Sequence, residues 1–355
     1  MPEIHPPHLR RLLYVLLPVT VAVAFAVPLL LRGAEGGGTD GAVPSYLPAL
    51  EPARARLEFR KERIDDLRYQ QPSWVFIGDS IPGTRIDEYR FSELNGFDAV
   101  GQLLHPGTGP AWWYLAFKNW LVASGVKPKL TFVYFRDYNL TDTMFRLTDQ
   151  YRWALDTVAL DREPQLNAAV AARVQGPWAQ VRARVARSYH ADRVRDWLEP
   201  QLRRWPSSLI APPDRRGGLP DEVNQRFNLD KLRPFEAADF EAADRAQADF
   251  AAMLPSSVLP PMVRLAKASG LRICFVRGKR RPNPDGSPLK QPEYLRKYIA
   301  DLSAWIASEG MLFIDDTGDA RLTLDLYEDG DHMKREAKVF YTDLFNEKVQ
   351  ALLKK

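Results

Sequence analysis

Two short polar motifs lie far apart in this 355-residue sequence. Gly78-Asp79-Ser80 comes directly after an apolar run, and Asp329-Gly-Asp-His332 comes shortly before an amphipathic C-terminal segment. A serine hydroxyl is a weak nucleophile, and a histidine base that is oriented by a carboxylate activates it. The two motifs together contain these three groups. Brought together, they would perform acyl transfer through an acyl-serine intermediate.

The residues around Ser80 predict a strand, a sharp turn and a helix. Residues 74–77 form a short run of β-branched and aromatic residues that ends at Gly78, a pattern typical of a buried parallel strand. Gly78 permits a tight bend, and Pro82 suits the first turn of a helix. Ser80 is therefore expected at the carboxyl end of a strand, beside backbone N–H groups that can hold an oxyanion. The alternative is that Asp79 and Ser80 form an ordinary helix cap.

Gly-Asp-Ser after the first strand, together with Asp-x-x-His before the last helix, resembles the pattern of the SGNH/GDSL hydrolases. The resemblance implies an α/β fold, namely a three-layer α/β/α domain with a mostly parallel sheet. It also implies that Ser80 is the nucleophile, His332 the general base and Asp329 the acid that orients the base. Asp331 is the competing choice of acid. Asp329 is preferred because immediate neighbours in a loop rarely orient each other's side chains.

The same resemblance implies an oxyanion hole beside the nucleophile. A second strand is predicted at residues 97–104, and a Pro-Gly loop follows it. In the family, a glycine of this loop donates its backbone N–H to the oxyanion, and Gly107 or Gly109 would fill that place. A plain turn is the alternative interpretation of the loop.

The third predicted strand covers residues 130–135. The loop that follows it departs from the family pattern. The family usually carries Gly-x-Asn-Asp here, with the asparagine side chain as a further oxyanion donor. Asn139 is the best match, although no glycine stands two residues before it, and Arg136 would be a cationic replacement. The departure affects the oxyanion hole more than the nucleophile.

Residues 12–31 contain no charged side chain. A helix of that length spans about 30 Å, the hydrocarbon thickness of a bilayer. The stretch predicts one uncleaved transmembrane signal anchor in the cytoplasmic membrane, with residues 1–11 in the cytoplasm and the rest in the periplasm or outside the cell. A cleaved signal peptide is the alternative. Residues 32–70 predict a Gly-rich linker and a charged stalk helix.

The catalytic-type domain is predicted over residues 71–355, where strands and helices alternate as in parallel βαβ units. The alternation stops between about residues 142 and 256, which predicts a helical insertion, and resumes with strands at 271–276 and 311–314. The insertion is rich in arginine, and the loop 277–281 is basic. Runs like that in the insertion are usually solvated helix faces, and the alternative is that the insertion binds anionic lipid headgroups or an acidic glycan. The loop 277–281 would either be an exposed basic loop without a function or bind an anionic substrate.

Charge, cysteine content and motifs exclude several classes of ligand and covalent bond. A net charge of +4 without a recognisable binding module argues against nucleic acid, and the single cysteine, Cys274, excludes an intrachain disulfide. The sequence shows no clustered metal ligands and no nucleotide-binding loop, so no cofactor and no metal are expected.

A membrane-anchored, exported SGNH-type domain most resembles proteins of bacterial cell-surface polysaccharide acylation. The resemblance implies an exported acyltransferase or acylesterase that acts on acyl groups, such as acetyl, of a surface or secreted polysaccharide. The implied partners are the membrane, the polysaccharide or another acyl acceptor, and a multi-spanning membrane O-acyltransferase. A free-standing esterase or lipase and an inactive scaffold are the alternatives.

Overall fold

The computed structural model describes residues 58–147, 152–160, 163–173 and 249–354. The predicted membrane anchor, the Gly-rich linker and most of the helical insertion lie outside these residues. All described residues belong to one compact unit. Among the described helices, none is long and apolar enough to cross a membrane.

The unit alternates strands and helices along the chain. Its strands are β1 (Trp74–Gly78), β2 (Val100–Leu104), β3 (Leu130–Phe135), β4 (Ile273–Arg277) and β5 (Leu312–Asp315). Its helices are α1 (Glu62–Gln70), α2 (Ser80–Arg85), α3 (Glu88–Leu94), α4 (Pro110–Ala116), α5 (Arg152–Asp156), α6 (Pro164–Arg173), α7 (Phe250–Met253), α8 (Leu259–Ala268), α9 (Glu293–Ser308) and α10 (Ala337–Leu353). Helix α4 continues as a π-helical segment, Phe117–Val122.

The five strands form one parallel sheet in the order β2-β1-β3-β4-β5. The chain leaves β1 toward one edge and returns past it to β3, so the order of the strands reverses between these two neighbours. Loops at the carboxyl ends of the strands diverge at such a reversal and leave a crevice, where α/β proteins bind their ligands. Ser80 follows β1 and Arg136 follows β3, so both lie at this point.

Alternate residues of β1 face opposite layers, as the period of a strand requires. Phe76 stacks on Phe132 of β3 with ring centroids 4.7 Å apart, and Phe132 meets Phe345 of α10 edge-on at 5.1 Å. All three are fully buried. Helices α2 and α3 contact α10 on this face, whereas α4 packs with α8. Because helices lie on both sides, the sheet is the middle layer of three.

The predicted parallel α/β arrangement is confirmed, and β3 has the predicted bounds. The second strand begins at Val100, three residues later than expected, because Gly96 and Phe97 turn with φ of 74° and 62°. Phe97 is consequently exposed instead of buried. The predicted stalk helix is described only from residue 58 and is helical over Glu62–Gln70. Cys274 is a fully buried thiol within the core, as expected.

Candidate active site

Ser80 is the first residue of α2, and only Asp79 separates it from the end of β1. The turn between the two elements is tight, because a Cβ on Gly78 would lie 2.9 Å from the ring of Pro82. Asp79 caps the helix through Oδ1, which accepts the N–H of Ile81 at 2.9 Å. The helix-cap interpretation therefore holds for Asp79. Because Asp79 makes the cap, the Ser80 hydroxyl is available for a hydrogen bond elsewhere.

The partner of the Ser80 hydroxyl is His332, whose Nε2 lies 2.7 Å from the Ser80 Oγ. On the other side of the ring, His332 Nδ1 lies 2.7 Å from Oδ2 of Asp329. Both distances are those of hydrogen bonds. With Nδ1 donating to the carboxylate, Nε2 presents its lone pair to the serine hydroxyl. The folded chain thus aligns a hydroxyl, an imidazole and a carboxylate in series.

Asp329 also shapes the loop that carries the imidazole. Its Oδ1 accepts the backbone N–H groups of Asp331 at 3.0 Å and of His332 at 2.9 Å. Desolvation opposes ionisation of this carboxyl, but the hydrogen bonds from His332 and the loop hold its pKa well below its usual range. The hydrogen bond to Asp329 in turn raises the pKa of His332 above 6.5, despite partial burial. Asp329 is therefore ionised wherever the imidazole titrates.

Asp331, the competing acid, is engaged elsewhere. Its Oδ2 accepts a hydrogen bond from Nη1 of Arg136, whose Nη2 donates to Oδ2 of Asp79 at 3.1 Å. Arg136 therefore joins the residue before the serine to the residue before the histidine. All three side chains are largely buried. Held between two carboxylates, the guanidinium is a bridge between the two motif loops.

Asn139, the other candidate oxyanion donor of this loop, is buried and folds back on its own turn. Its Oδ1 accepts the backbone N–H of Arg136 at 3.0 Å. The side chain thereby fixes the start of the loop after β3. The structure thus gives both Arg136 and Asn139 contacts that stabilise this loop.

The loop after β2 begins beside the nucleophile motif, since the N–H of His105 donates to the carbonyl of Gly78 at 3.2 Å. Gly107 has a φ of 76°, a turn conformation that favours glycine. Gly109 is required for packing, because a Cβ there would lie 2.3 Å from the carbonyl oxygen of Phe145. Gly107 is half-exposed, whereas Gly109 is buried.

Sequence reasoning missed Arg85, the last residue of α2. It is fully buried, and its Nη2 donates to the carbonyl of Asp331 at 3.1 Å and to that of Lys279 at 2.5 Å. Its guanidinium also lies over the rings of Tyr327 and Tyr341, 5.8 Å and 5.4 Å from their centroids. The only available sequence signal was a cation at the end of the helix that follows the nucleophile.

The basic loop 277–281 is not the solvated surface that its composition predicted. Arg277, Lys279 and Arg281 are each less than a tenth exposed. Arg277 pairs with Asp315 at 3.2 Å, and Arg280 donates from Nε and Nη2 to Asp137 at 2.9 Å and 2.6 Å. The carboxylates that pair with these cations lie elsewhere in the sequence, at the end of β5 and in the loop after β3, so local composition does not reveal them.

No family model matches the chain, and no curated protein matches it significantly. Among solved structures, a predicted acylhydrolase from Bacteroides fragilis is similar, with 13% identity and a TM-score of 0.38, covering 82% of this chain and 96% of that one. A GDSL-like lipase from Bacteroides thetaiotaomicron has 11% identity and a TM-score of 0.36, covering 82% and 97%.

Proposed function

We propose that this protein is a serine enzyme of SGNH/GDSL type that transfers acyl groups through an acyl-serine. The observation that carries the proposal is the hydrogen-bonded series from Ser80 through His332 to Asp329, with 2.7 Å at each step. A nucleophile, a base within reach and a group that orients the base are the parts that covalent acyl transfer requires.

In the first half-reaction, Ser80 Oγ attacks an ester carbonyl while His332 Nε2 takes its proton. The resulting imidazolium is stabilised by ionised Asp329. When the tetrahedral intermediate collapses, the C–O bond to the alcohol breaks, and His332 returns the proton to the departing oxygen. Ser80 is left as an ester of the acyl group.

In the second half-reaction, His332 deprotonates an incoming hydroxyl that attacks the acyl-serine. The Ser80–acyl bond then breaks, and the proton returns to Ser80. Water as the incoming group gives hydrolysis, and a sugar hydroxyl gives transfer. The side chain of His332 is 35% exposed, which favours access by water and supports hydrolysis as the second candidate outcome.

For the oxyanion, we propose the backbone N–H of Gly107 as one donor. The loop of Gly107 starts against Gly78, and Gly107 turns the chain with a φ of 76°. Arg136 and Asn139 have contacts of their own, so their contribution is to support the neighbouring loops. A preorganised donor of this kind is worth about 10²-fold to 10³-fold in kcat.

The sequence supports a cellular setting for this chemistry. The uncharged residues 12–31 would hold the enzyme in the cytoplasmic membrane and place the acyl-transfer domain outside the cytoplasm. A tether raises the effective concentration of an acyl donor that is delivered at the membrane. We therefore propose a surface or secreted polysaccharide as the acyl acceptor, acetyl as the acyl group, and a membrane O-acyltransferase as the partner.

The test uses the full-length chain in detergent, an alkyl fluorophosphonate that labels activated serines, and a p-nitrophenyl acetate assay. The native chain should be labelled once and should release p-nitrophenol, whereas Ser80→Ala should do neither. Ser92→Ala is the matched control, because Ser92 lies in α3 and its Oγ donates to the carbonyl of Asp98, away from His332. Labelling that persists in Ser80→Ala would overturn the assignment of the nucleophile.

A second test separates transfer from hydrolysis in the cell. Deleting the gene should lower the ester content of the exopolysaccharide, and the native gene should restore it. Restoration by Ser80→Ala would leave only a scaffold role. Unchanged ester content, with strong hydrolysis by the purified enzyme, would favour hydrolysis.

A further inference from the structure

A small polar cavity lies at the carboxyl ends of β3, β4 and β5, on the same edge of the sheet as Ser80. It has a volume of about 30 Å³. A cavity that holds a single water molecule has a volume of about 10–15 Å³. This cavity therefore has room for a group the size of a carboxylate. Its lining residues are Asp137, Arg277, Gly278, Lys279, Arg280, Leu289, Gln291 and Thr317.

The lining carries more positive than negative charge. Asp137 is the one acid among the lining residues, which include the cations Arg277, Lys279 and Arg280. The carboxylate of Asp315 also pairs with Arg277, at 3.2 Å. Outside the lining, Asp319 and Asp331 also place negative charge near Lys279 and Arg280. Within the cavity itself, an anionic ligand would meet mainly the N–H donors of cationic side chains, and buried charges are normally paired.

Arg277 is the least satisfied of the three cations. Its side chain is 2% exposed, and its Nε has no hydrogen-bond partner among the described residues. Its Nη2 donates to Gln291 at 2.9 Å and lies 3.8 Å from Asp137. Although Nη1 pairs with Asp315, the buried Nε remains as a charged donor that could hold a further anion.

Asp137 is held in a left-handed backbone conformation, with a φ of 46°. Residues other than glycine adopt this conformation at a cost, and such positions cluster at ligand-binding sites. The conformation lets the Asp137 carboxylate reach both Arg277 and Arg280. Asp137 therefore partly neutralises the two guanidinium groups.

The cavity is close enough to Ser80 to hold part of the same substrate. β1 and β4 are separated only by β3, and two strand spacings amount to about 10 Å. Gly278 of the lining also packs against α2, because a Cβ there would lie 3.5 Å from Ile81 and 3.6 Å from Arg85. A chain molecule with its ester at Ser80 would extend over β3 toward the cavity.

We propose that this cavity binds a carboxylate of the substrate, so that the enzyme selects an acidic glycan and positions its ester at Ser80. The proposal rests on the function proposed above and adds the class of the substrate. The planar fork of arginine matches a carboxylate, and Gln291 and Thr317 add neutral hydrogen-bonding groups. A carboxylate entering the cavity would share the guanidinium groups with Asp137.

The test compares two matched substrates on the full-length enzyme. One is an O-acetylated oligosaccharide that contains a uronic acid, and the other is the same oligosaccharide with its carboxyl groups reduced to alcohols. A charge-assisted pair corresponds to about a 10-fold to 100-fold difference in affinity. We expect the acidic substrate to have at least a 10-fold higher kcat/KM, mainly through a lower KM.

Two variants move this preference in opposite directions. Arg280→Gln removes a cation and should lower the ratio of kcat/KM for the two substrates by about 10-fold. Asp137→Asn removes a competing carboxylate, and asparagine tolerates the left-handed conformation, so the ratio should rise. Lys297→Gln, on the exposed face of α9, is the charge-matched control and should leave the ratio unchanged.

Equal kcat/KM for the two substrates would overturn the cavity proposal while leaving the acyl-transfer proposal intact. A preference that falls equally in Arg280→Gln and Lys297→Gln would also overturn it, since it would reflect net charge alone. Calorimetric binding of the deacetylated acidic oligosaccharide to Ser80→Ala tests the cavity without any turnover. Tight binding there together with no activity in the native enzyme would refute the proposed function and support the cavity.

Discussion

The guanidinium of Arg85 donates a hydrogen bond of 3.1 Å to the backbone carbonyl of Asp331, the residue immediately before His332. Arg85 ends the helix that Ser80 begins. One short helix therefore carries the hydroxyl at its start and holds the loop of the imidazole at its end. A second contact, from Arg136 to the Asp331 carboxylate, joins the same loop to Asp79.

Arg85→Met removes the hydrogen bond that holds the His332 loop, so we expect the loop to shift. A displacement of about 1 Å lowers kcat by about 10²-fold, and we expect a loss of that size for p-nitrophenyl acetate. KM should change little, since Arg85 is buried and acts through the loop. Arg90→Met is the control, because Arg90 is a partly exposed cation that pairs with Asp343 on α10. Equal effects of the two substitutions would contradict a positioning role for Arg85.

Arg136→Gln distinguishes a bridge from an oxyanion donor. Loss of the bridge leaves Asp79 and Asp331, both largely buried, without their shared cation, which costs about 3–5 kcal/mol of stability in comparable pairs. We expect a lower Tm together with lower kcat, and partial recovery of both in Arg136→Lys. A fall in kcat of the same size with an unchanged Tm would instead indicate a role at the oxyanion.

The pH dependence of kcat/KM should report the imidazole. His332 must be neutral to accept a proton, and the hydrogen bond to Asp329 raises its pKa above 6.5. Activity should therefore decline as the pH falls through a midpoint above 6.5. In Asp329→Asn this bond to an anion is lost, so the midpoint should move to lower pH.

The same variant should lower kcat by about 10⁴-fold, the loss seen when the orienting carboxylate of such a series is neutralised. Asp331→Asn is the matched control, because the Asp331 carboxylate accepts from Arg136, whereas the Asp329 carboxylate is the hydrogen-bond partner of His332 Nδ1. A larger loss in Asp331→Asn than in Asp329→Asn would reverse the assignment of the acid.

Helix α10 offers a matched pair of phenylalanines for a stability test. Phe345 is fully buried against Phe76, Phe91 and Phe132, whereas Phe340 is 45% exposed. Phe345→Ala should lower the free energy of unfolding by about 3–5 kcal/mol. Phe340→Ala should change it by less than about 1 kcal/mol. Urea unfolding followed by tryptophan fluorescence measures both, and comparable losses would show that α10 does not pack as described.

The sequence by itself determined the elements whose signals are local. Two short apolar runs, one before Gly78 and one at residues 130–135, form β1 and β3. A short run of β-branched and aromatic residues between turn residues is typical of a buried strand. The alternation of strands and helices determined a parallel sheet. It also placed Ser80 directly after a strand and at the start of a helix.

Only the tertiary structure decided which charged groups meet. Arg85 and Arg136 reach Asp331 across 246 and 195 residues, and Arg280 reaches Asp137 across 143. A charged residue in a sequence looks the same whether it is solvated or buried, because its burial depends on a partner that another loop supplies. For that reason the composition of loop 277–281 does not reveal its burial, and only folding makes it part of the interior beside the candidate site.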